Sequence, residues 1–406
     1  MSEPVVSERY AEVLRDIAAQ RGTPCFVYFT APIRERVQGI ARALGSRVSV
    51  SYAMKANPNV ALVTAMRGLV PRLDVSSGGE LARAVACGWA PHAISFTGPG
   101  KSHDELALAV EHRVEVVLES VTEAERLAAL AGAAGVVMDV LLRVAPSRVP
   151  AGFGDQMAGR PTAFGIDEDE IDDAVACVRR SSSLRWVGLH AYSGTQCLRA
   201  DAIAENWAIF AELFRAIAQR HDARLQRLVF GAGLGIAHHD NQVTVDLDAV
   251  ATNAVPTLDA LRQEPLLADA ELVLESGRYL VGEAGVYLTA VNTVKRSRGA
   301  DVIICDGGMN HHLAAAGHFG MVIRRPYRLR KLGAAPDAPR KKLLVCGPLC
   351  TSLDGFGRDV ELPELAVGDV LAISPSGAYG FTSSPLGFIS HPAPAEHLVE
   401  DGELLR

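Results

Sequence analysis

The stretch 48–59, VSVSYAMKANPN, runs five β-favouring residues into Lys55 and then Ala-Asn-Pro. A strand buried on both faces has no place for a solvated ammonium. Lys55 therefore either lies just past the strand and reaches water along its stem, or is a reactive amine held at the strand's mouth. Other residues decide between the two. Asp74 lies in the apolar run Leu73–Ser76, His190 ends Trp186–His190, and Glu275 ends Leu272–Glu275 with Arg278 just beyond. The glycine-rich segment 231–235, GAGLG, follows Leu228–Gly231. Singly, these read as a core histidine, a local ion pair and an ordinary turn. Jointly they carry a chemistry. A glycine-rich backbone and an arginine cradle a phosphate, and a lysine amine condenses with an aldehyde. A carboxylate opposite a pyridine nitrogen keeps it protonated, which makes the ring an electron sink. An imidazole can stack on the ring face.

Whether these residues meet depends on the elements that carry them. Eight short apolar runs recur along the chain: Val48–Tyr52, Leu73–Ser76, Ile94–Thr97, Val114–Leu118, Val137–Val144, Trp186–His190, Leu228–Gly231 and Leu272–Glu275. Helical patterns separate most of them, at 59–69, 79–86, 104–111, 122–130, 168–179 and 204–220. Thr122 three residues before Glu125 reads as a capping box, and Pro58 precedes the first helix. Alternation over about 230 residues argues a parallel sheet with helices outside, and eight strands close a (β/α)8 barrel. Chemistry in such a barrel gathers at the C-terminal ends of the strands. Lys55, Asp74, His190, Glu275, Arg278 and the glycine turn would then meet at one rim, and together they describe a pyridoxal 5′-phosphate (PLP) site. From about residue 283 helical periodicity gives way to β-type runs at 286–294, 301–305, 342–345 and 369–373. The expected organisation is an N-terminal segment, 1–30, contributing its PCFVYF run to a β domain. A PLP-binding barrel over 31–280 follows, and then an all-β domain over 281–406.

Bulk properties narrow the class. The 406 residues are 49% hydrophobic, enough for a large core, and carry a net charge of −7 with both signs scattered. No basic tract with interleaved aromatics points to nucleic acid. No apolar run is long and unbroken enough to span a membrane, and the N-terminus lacks the basic-then-apolar pattern of a secretion signal. Seven cysteines suit a reducing cytoplasm, and Cys346 with Cys350 has too few companion ligands for a metal site. A soluble cytoplasmic enzyme without a metal is the expectation.

At this point the chain resembles the fold type III, alanine racemase-like PLP decarboxylases, which include diaminopimelate and ornithine decarboxylases. The resemblance covers nearly the whole length. YAMKAN (52–57) is similar to the cofactor-lysine motif, which implies that Lys55 forms the imine with the cofactor. DVSSGGE (74–80) and HAYSGTQ (190–196) resemble further family blocks, the second implying that His190 stacks on the ring with Ser193 nearby. GAGLG resembles the phosphate loop, which includes Gly233 and Gly235. ESGR (275–278) resembles the segment whose Glu275 pairs the pyridine nitrogen and whose Arg278 meets the phosphate. CGPLCTSLD (346–354) is similar to the motif whose cysteine, Cys350, protonates the substrate carbon, and GAYG (377–380) would bring Tyr379 to the phosphate. Thr351, Asp354 and Tyr379 would complete the substrate side. Decarboxylation is favoured over racemisation, because alanine racemases share the barrel but place an arginine at the ring nitrogen.

The resemblance also shows departures. Diaminopimelate and ornithine decarboxylases carry an acid after the cysteine, where this chain has Thr351. After Gly-Met-Asn the diaminopimelate enzymes carry an arginine, where this chain continues HHLAAA (311–316). DGGMNHHLAAAGHFG (306–320) and 376–396 look closer to a biosynthetic-cluster branch that includes decarboxylases of a glutamyl group on an acyl-carrier protein. The expected substrate is an amino acid, free or carrier-tethered. The cationic run Arg324, Arg325, Arg328, Arg330 and Lys331, with 340–342 after it, is either a docking surface for an acidic carrier or a solvated loop. A diaminopimelate, ornithine or lysine decarboxylase of primary metabolism and a silent regulatory homologue are the alternatives. Family likeness further implies a homodimer with shared active sites.

Overall fold

The computed structural model describes residues 6–317 and 326–405. Eight parallel strands, Ser49–Ala53, Arg72–Val75, Ile94–Phe96, Glu115–Leu118, Met138–Ala145, Leu184–Ala191, Arg227–Gly231 and Glu271–Ser276, close into a barrel. Closure runs through Ser51 beside Glu275 and through Val117 beside Leu141. These are the eight apolar runs of the sequence, shifted by one or two residues at their ends. They are continuous rather than alternating because both faces are buried. Val117, Leu141, Val187, Val229 and Val273 pack together as a layer inside the barrel, and the residues between them face the helices. At the N-terminal ends, Arg72 and Arg227 converge on Glu271, and Arg227 also bridges to Glu115.

Six helices stand where periodicity placed them: Val60–Met66, Gly78–Ala86, His103–His112, Val121–Ala133, Ile171–Arg180 and Ala200–Arg220. The expected cap at Thr122 is corrected. Ser120 caps that helix by accepting from the Glu123 backbone N–H, and the reciprocal capping box belongs instead to Ser102 and Glu105. Thr30–Leu44 and Leu247–Leu261 are helices that the pattern did not reveal, the second with Pro256 in its interior.

Most of the remaining strands form a separate mixed sheet in the order Gly355–Pro363, Arg340–Cys346, Ala300–Cys305, Gly285–Ser297, Cys25–Phe29, Ala395–Glu400 and Glu403–Leu404. Cys25–Phe29 runs antiparallel to Gly285–Ser297 and parallel to Ala395–Glu400. Val370–Ser374 joins Gly285–Ser297 to a strand at Arg328–Lys331. That last strand corrects the reading of the cationic run at Arg328–Lys331, which is neither a loop nor a free patch. Arg328 pairs with Asp240 at 3.3 Å, Arg330 with Glu8 at 2.5 Å and Lys331 with Asp369 at 2.7 Å. Arg324 and Arg325 lie outside the described residues. Among the described residues no helix is long and apolar enough to cross a membrane.

Candidate active site

Lys55 sits in a single 3-10 turn, Met54–Ala56, directly after its strand. The turn is clamped to the β unit: Asn57 Nδ2 donates to Gly377 O at 2.9 Å, and the Tyr379 N–H donates to Ala56 O at 2.8 Å. Lys55 lines a cavity with Tyr192, Gly233, Glu275, Arg278 and Tyr379, its Nζ 5.6 Å from the centre of the Tyr192 ring. Burial alone would lower the pKa of this amine. Tyr379, Glu275, Tyr192 and Asp74 overcome that and push it above the usual lysine range.

Glu275 and His190 form one unit. His190 Nε2 lies 3.2 Å from Glu275 Oε2, with both side chains buried. Burial opposes ionisation of Glu275, yet the hydrogen bond and charge of His190, with Lys55 and Arg143 beyond, hold its pKa down at about 2. An ionised Glu275 needs a donor, so His190 presents an Nε2–H to it. Asp74 behaves in the opposite way. Burial and the charge of Glu275 push its pKa well up, while Oδ1 accepts from Thr97 at 2.5 Å and Ser95 at 3.1 Å.

The glycine turn is shaped by close approach. A Cβ on Gly235 would come 2.6 Å from the backbone oxygen of Cys197, and one on Gly233, at φ +68°, would meet the Phe153 ring. Arg278 opens the short helix Arg278–Val281, and its guanidinium stacks over Tyr379 at 4.6 Å. Around this cavity Asp74 Oδ2, His190 Nδ1, Ser193 Oγ and Arg278 Nε are buried without a hydrogen-bond partner among the described residues. Arg278 lines the cavity, His190 and Ser193 adjoin its lining residues Glu275 and Tyr192, and such orphaned polar atoms mark a ligand's place. Amine, carboxylates, imidazole, hydroxyl, guanidinium and open glycine backbone together match PLP.

The cysteine motif is elsewhere. Cys350 is exposed on the turn between Arg340–Cys346 and Gly355–Pro363, and does not line the Lys55 cavity. Thr351 beside it is half-buried. Asp354, expected at the substrate, is turned inward. Its Oδ1 accepts from Met309 N at 2.7 Å and its Oδ2 from Leu349 N at 2.8 Å, so the carboxylate braces the turn. His311 and His312 are likewise internal: their Nε2 atoms meet Pro392 O and Ser376 Oγ, each at 2.9 Å. Ala314, Ala315 and Ala316 after them are buried.

Two site residues escaped the sequence reading. Tyr192 stood inside the quoted HAYSGTQ. Arg143 gave no signal beyond a lone cation in an apolar run; it is buried beside His190 in the sheet register, and its Nη1 donates to Glu119 at 3.0 Å.

Residues 30–282 match the family model described as "Pyridoxal-dependent decarboxylase, pyridoxal binding domain". The chain is 32% identical over 390 residues to the L-glutamyl-[BtrI acyl-carrier protein] decarboxylase of Niallia circulans, covering 95% of this chain and 91% of that protein. It is 33% identical over 402 residues to the diaminopimelate decarboxylase of Methanothermobacter thermautotrophicus, covering 96% and 89%. Among solved structures, diaminopimelate decarboxylase from Helicobacter pylori complexed with L-lysine matches with a TM-score of 0.83 at 26% identity, over 97% of this chain and 95% of that one. A mutant of SrLDC in complex with PLP matches with a TM-score of 0.83 at 25% identity, covering 98% and 96%. The chain therefore belongs to the fold type III PLP-dependent decarboxylases, the diaminopimelate and ornithine decarboxylase family, and is a carboxy-lyase that uses PLP.

Proposed function

We propose that this enzyme removes the α-carboxylate of an amino acid whose side chain is joined to an acyl-carrier protein. The neutral residue after the cysteine carries this reading. Thr351 offers no carboxylate to a distal ammonium, and the buried Ala314–Ala316 offer no cation to a distal carboxylate. A substrate whose far end is an uncharged linkage needs neither. The likeness to the Niallia glutamyl-carrier decarboxylase supports the same substrate class.

When bound, PLP supplies an aldehyde for imine formation and a ring that accepts electrons from the breaking bond. Lys55 is the amine that anchors it. Glu275, kept ionised by His190, holds a proton at the ring nitrogen. Ser193, Gly233, Gly235, Arg278 and Tyr379 bind its phosphate end, and Asp74 supports the site from within the barrel. Cys350 delivers a proton to the substrate carbon that lost CO2, and Asp354 acts by fixing the Cys350 turn. The barrel unit spans 31–280, and the β unit combines 1–30 with 281–406, a division supported by the pairing of Cys25–Phe29 with Gly285–Ser297. Cys350 enters a neighbouring protomer's site in a homodimer.

A second reading, decarboxylation of free meso-diaminopimelate, has the diaminopimelate relatives in its favour. Incubating the enzyme with free amino acids and with L-glutamyl acyl-carrier protein, followed by mass spectrometry, separates the two. Loss of 44 Da from the carrier-bound species alone is expected. Efficient turnover of diaminopimelate, lysine or ornithine overturns the proposal.

A further inference from the structure

One edge of the β unit carries an excess of positive charge in a chain whose net charge is −7. It consists of Gly285–Ser297, Ala300–Cys305, Arg340–Cys346 and Gly355–Pro363 with the turn at 298–299. These segments hold seven lysines and arginines against three carboxylates, Asp301, Asp359 and Glu361. Lys341 is engaged with Asp301 at 2.9 Å and with Glu364 at 3.4 Å. The other six, Lys295, Arg296, Arg298, Arg340, Lys342 and Arg358, are exposed and make no ion pair with the described residues. Cations that brace a fold are spent on carboxylates, as those of Arg328–Lys331 are. Six unspent ones on one sheet edge are available to a partner.

Strand register gathers Lys295 and Lys342 on one face and sets Arg296 on the other, opposite Asp301. Lys295 pairs with Val302 and Val302 with Leu344, while Ile304 pairs with Cys346. Paired residues share a face, and alternation along Arg340–Cys346 adds Lys342 to it. That face therefore interleaves Lys295 and Lys342 with the half-buried apolar Ile304 and Leu344 and carries one carboxylate, Glu361, opposite Lys342, a surface suited to an amphipathic acidic helix. The same strand continues into the turn that bears Cys350. From Arg340 to Cys346 is about 20 Å of extended chain, so the cations begin beside the cysteine turn and extend away from it.

We infer that this cationic edge is the docking surface for the acidic carrier protein that presents the substrate. The inference rests on the carrier-tethered reading above. A carrier seated here holds its phosphopantetheine arm at reach of the carbon that Cys350 protonates, because the strand Arg340–Cys346 runs from the docking site into the turn that bears the cysteine. The rim charges raise the encounter rate with the acidic carrier and leave the chemistry untouched.

The test compares two substrates, L-glutamyl acyl-carrier protein and the same L-glutamyl group on free pantetheine. The enzymes are wild type and a variant carrying Lys295→Glu, Arg296→Glu, Arg298→Glu and Lys342→Glu. A second variant with glutamine at the four positions guards against misfolding by charge reversal. The expected result is a fall of about tenfold or more in kcat/KM on the carrier substrate, with pantetheine turnover unchanged. Added salt should mimic the variant on the carrier substrate only. Equal losses on both substrates overturn the docking role, as does a change in oligomeric state by gel filtration, which would assign the edge to a protomer contact. Unchanged carrier turnover in both variants overturns it too, while leaving the carrier-tethered reading intact. A wild-type enzyme that ignores the carrier substrate removes both.

Discussion

His190 Nε2 and Glu275 Oε2 lie 3.2 Å apart across the barrel interior, on strands separated by one neighbour. The pairing fixes the ionisation of a carboxylate that burial alone would neutralise. Glu275→Gln keeps the cavity's shape and removes the charge. The variant should retain the cofactor, because the residues proposed to hold its phosphate lie elsewhere, yet lose roughly 10²-fold in kcat. Absorbance of the bound cofactor and steady-state rates measure the two effects separately. Turnover within twofold of wild type would dismiss the electron-sink role.

Asp354→Ala separates a bracing carboxylate from a substrate contact. Both carboxylate oxygens accept backbone N–H groups, one of them from Leu349 beside Cys350. Removing them loosens the turn that positions the thiol. The expected outcome is a kcat lowered by about tenfold with little change in KM, and unchanged cofactor content. A rise in KM alone would return Asp354 to the substrate.

The barrel was legible because its strands are buried on both faces and read as eight apolar runs, and because the rim residues follow those runs. Lys55, Glu275 and Arg278 line one cavity, with His190 against Glu275, for that reason. What was hidden depended on contacts between distant segments. Asp354 looks like a polar loop residue until Met309 and Leu349 close on it. Arg328, Arg330 and Lys331 look like a solvated basic run until Asp240, Glu8 and Asp369 meet them. Gly355–Pro363 has no continuous apolar run, and its strand signal lies only in the short alternation Asp359-Val360-Glu361-Leu362. The Glu119–Arg143 pair joins residues 24 apart, each of which looks like an isolated charge.

Acid stability should depend on Glu271 at the far end of the barrel. Burial opposes its charge, but hydrogen bonds and attraction from Arg72 and Arg227 lower its pKa from 4.5 to about 2. A depressed folded-state pKa stabilises the fold above the unfolded value, and that stability is lost as pH falls from about 4.5 toward 2. Solvent reaches part of this cluster, so Glu271→Gln should cost only about 1–2 kcal/mol at pH 7. The difference from wild type should shrink as the pH drops through that window. Denaturant melts at pH 7 and pH 3 check it; a constant difference would mean that the ion pairs contribute nothing.

The final prediction concerns how Cys350 reaches the chemistry. It is exposed on a β-unit turn and absent from the cavity that Lys55 lines in its own chain. If each protomer lends its cysteine turn to the other, two-fold symmetry builds two equal sites. Lys55→Ala should abolish cofactor attachment and turnover, and Cys350→Ala should nearly abolish turnover while the cofactor stays bound. Mixing the two inactive proteins under subunit exchange places both lesions in one site of each mixed dimer and leaves the other site intact. Half of the dimers are then mixed and half of their sites work, so about a quarter of wild-type activity should return. Mass labelling of one parent verifies the exchange. Activity that stays at the parental level after exchange would place Lys55 and Cys350 in the site of a single chain.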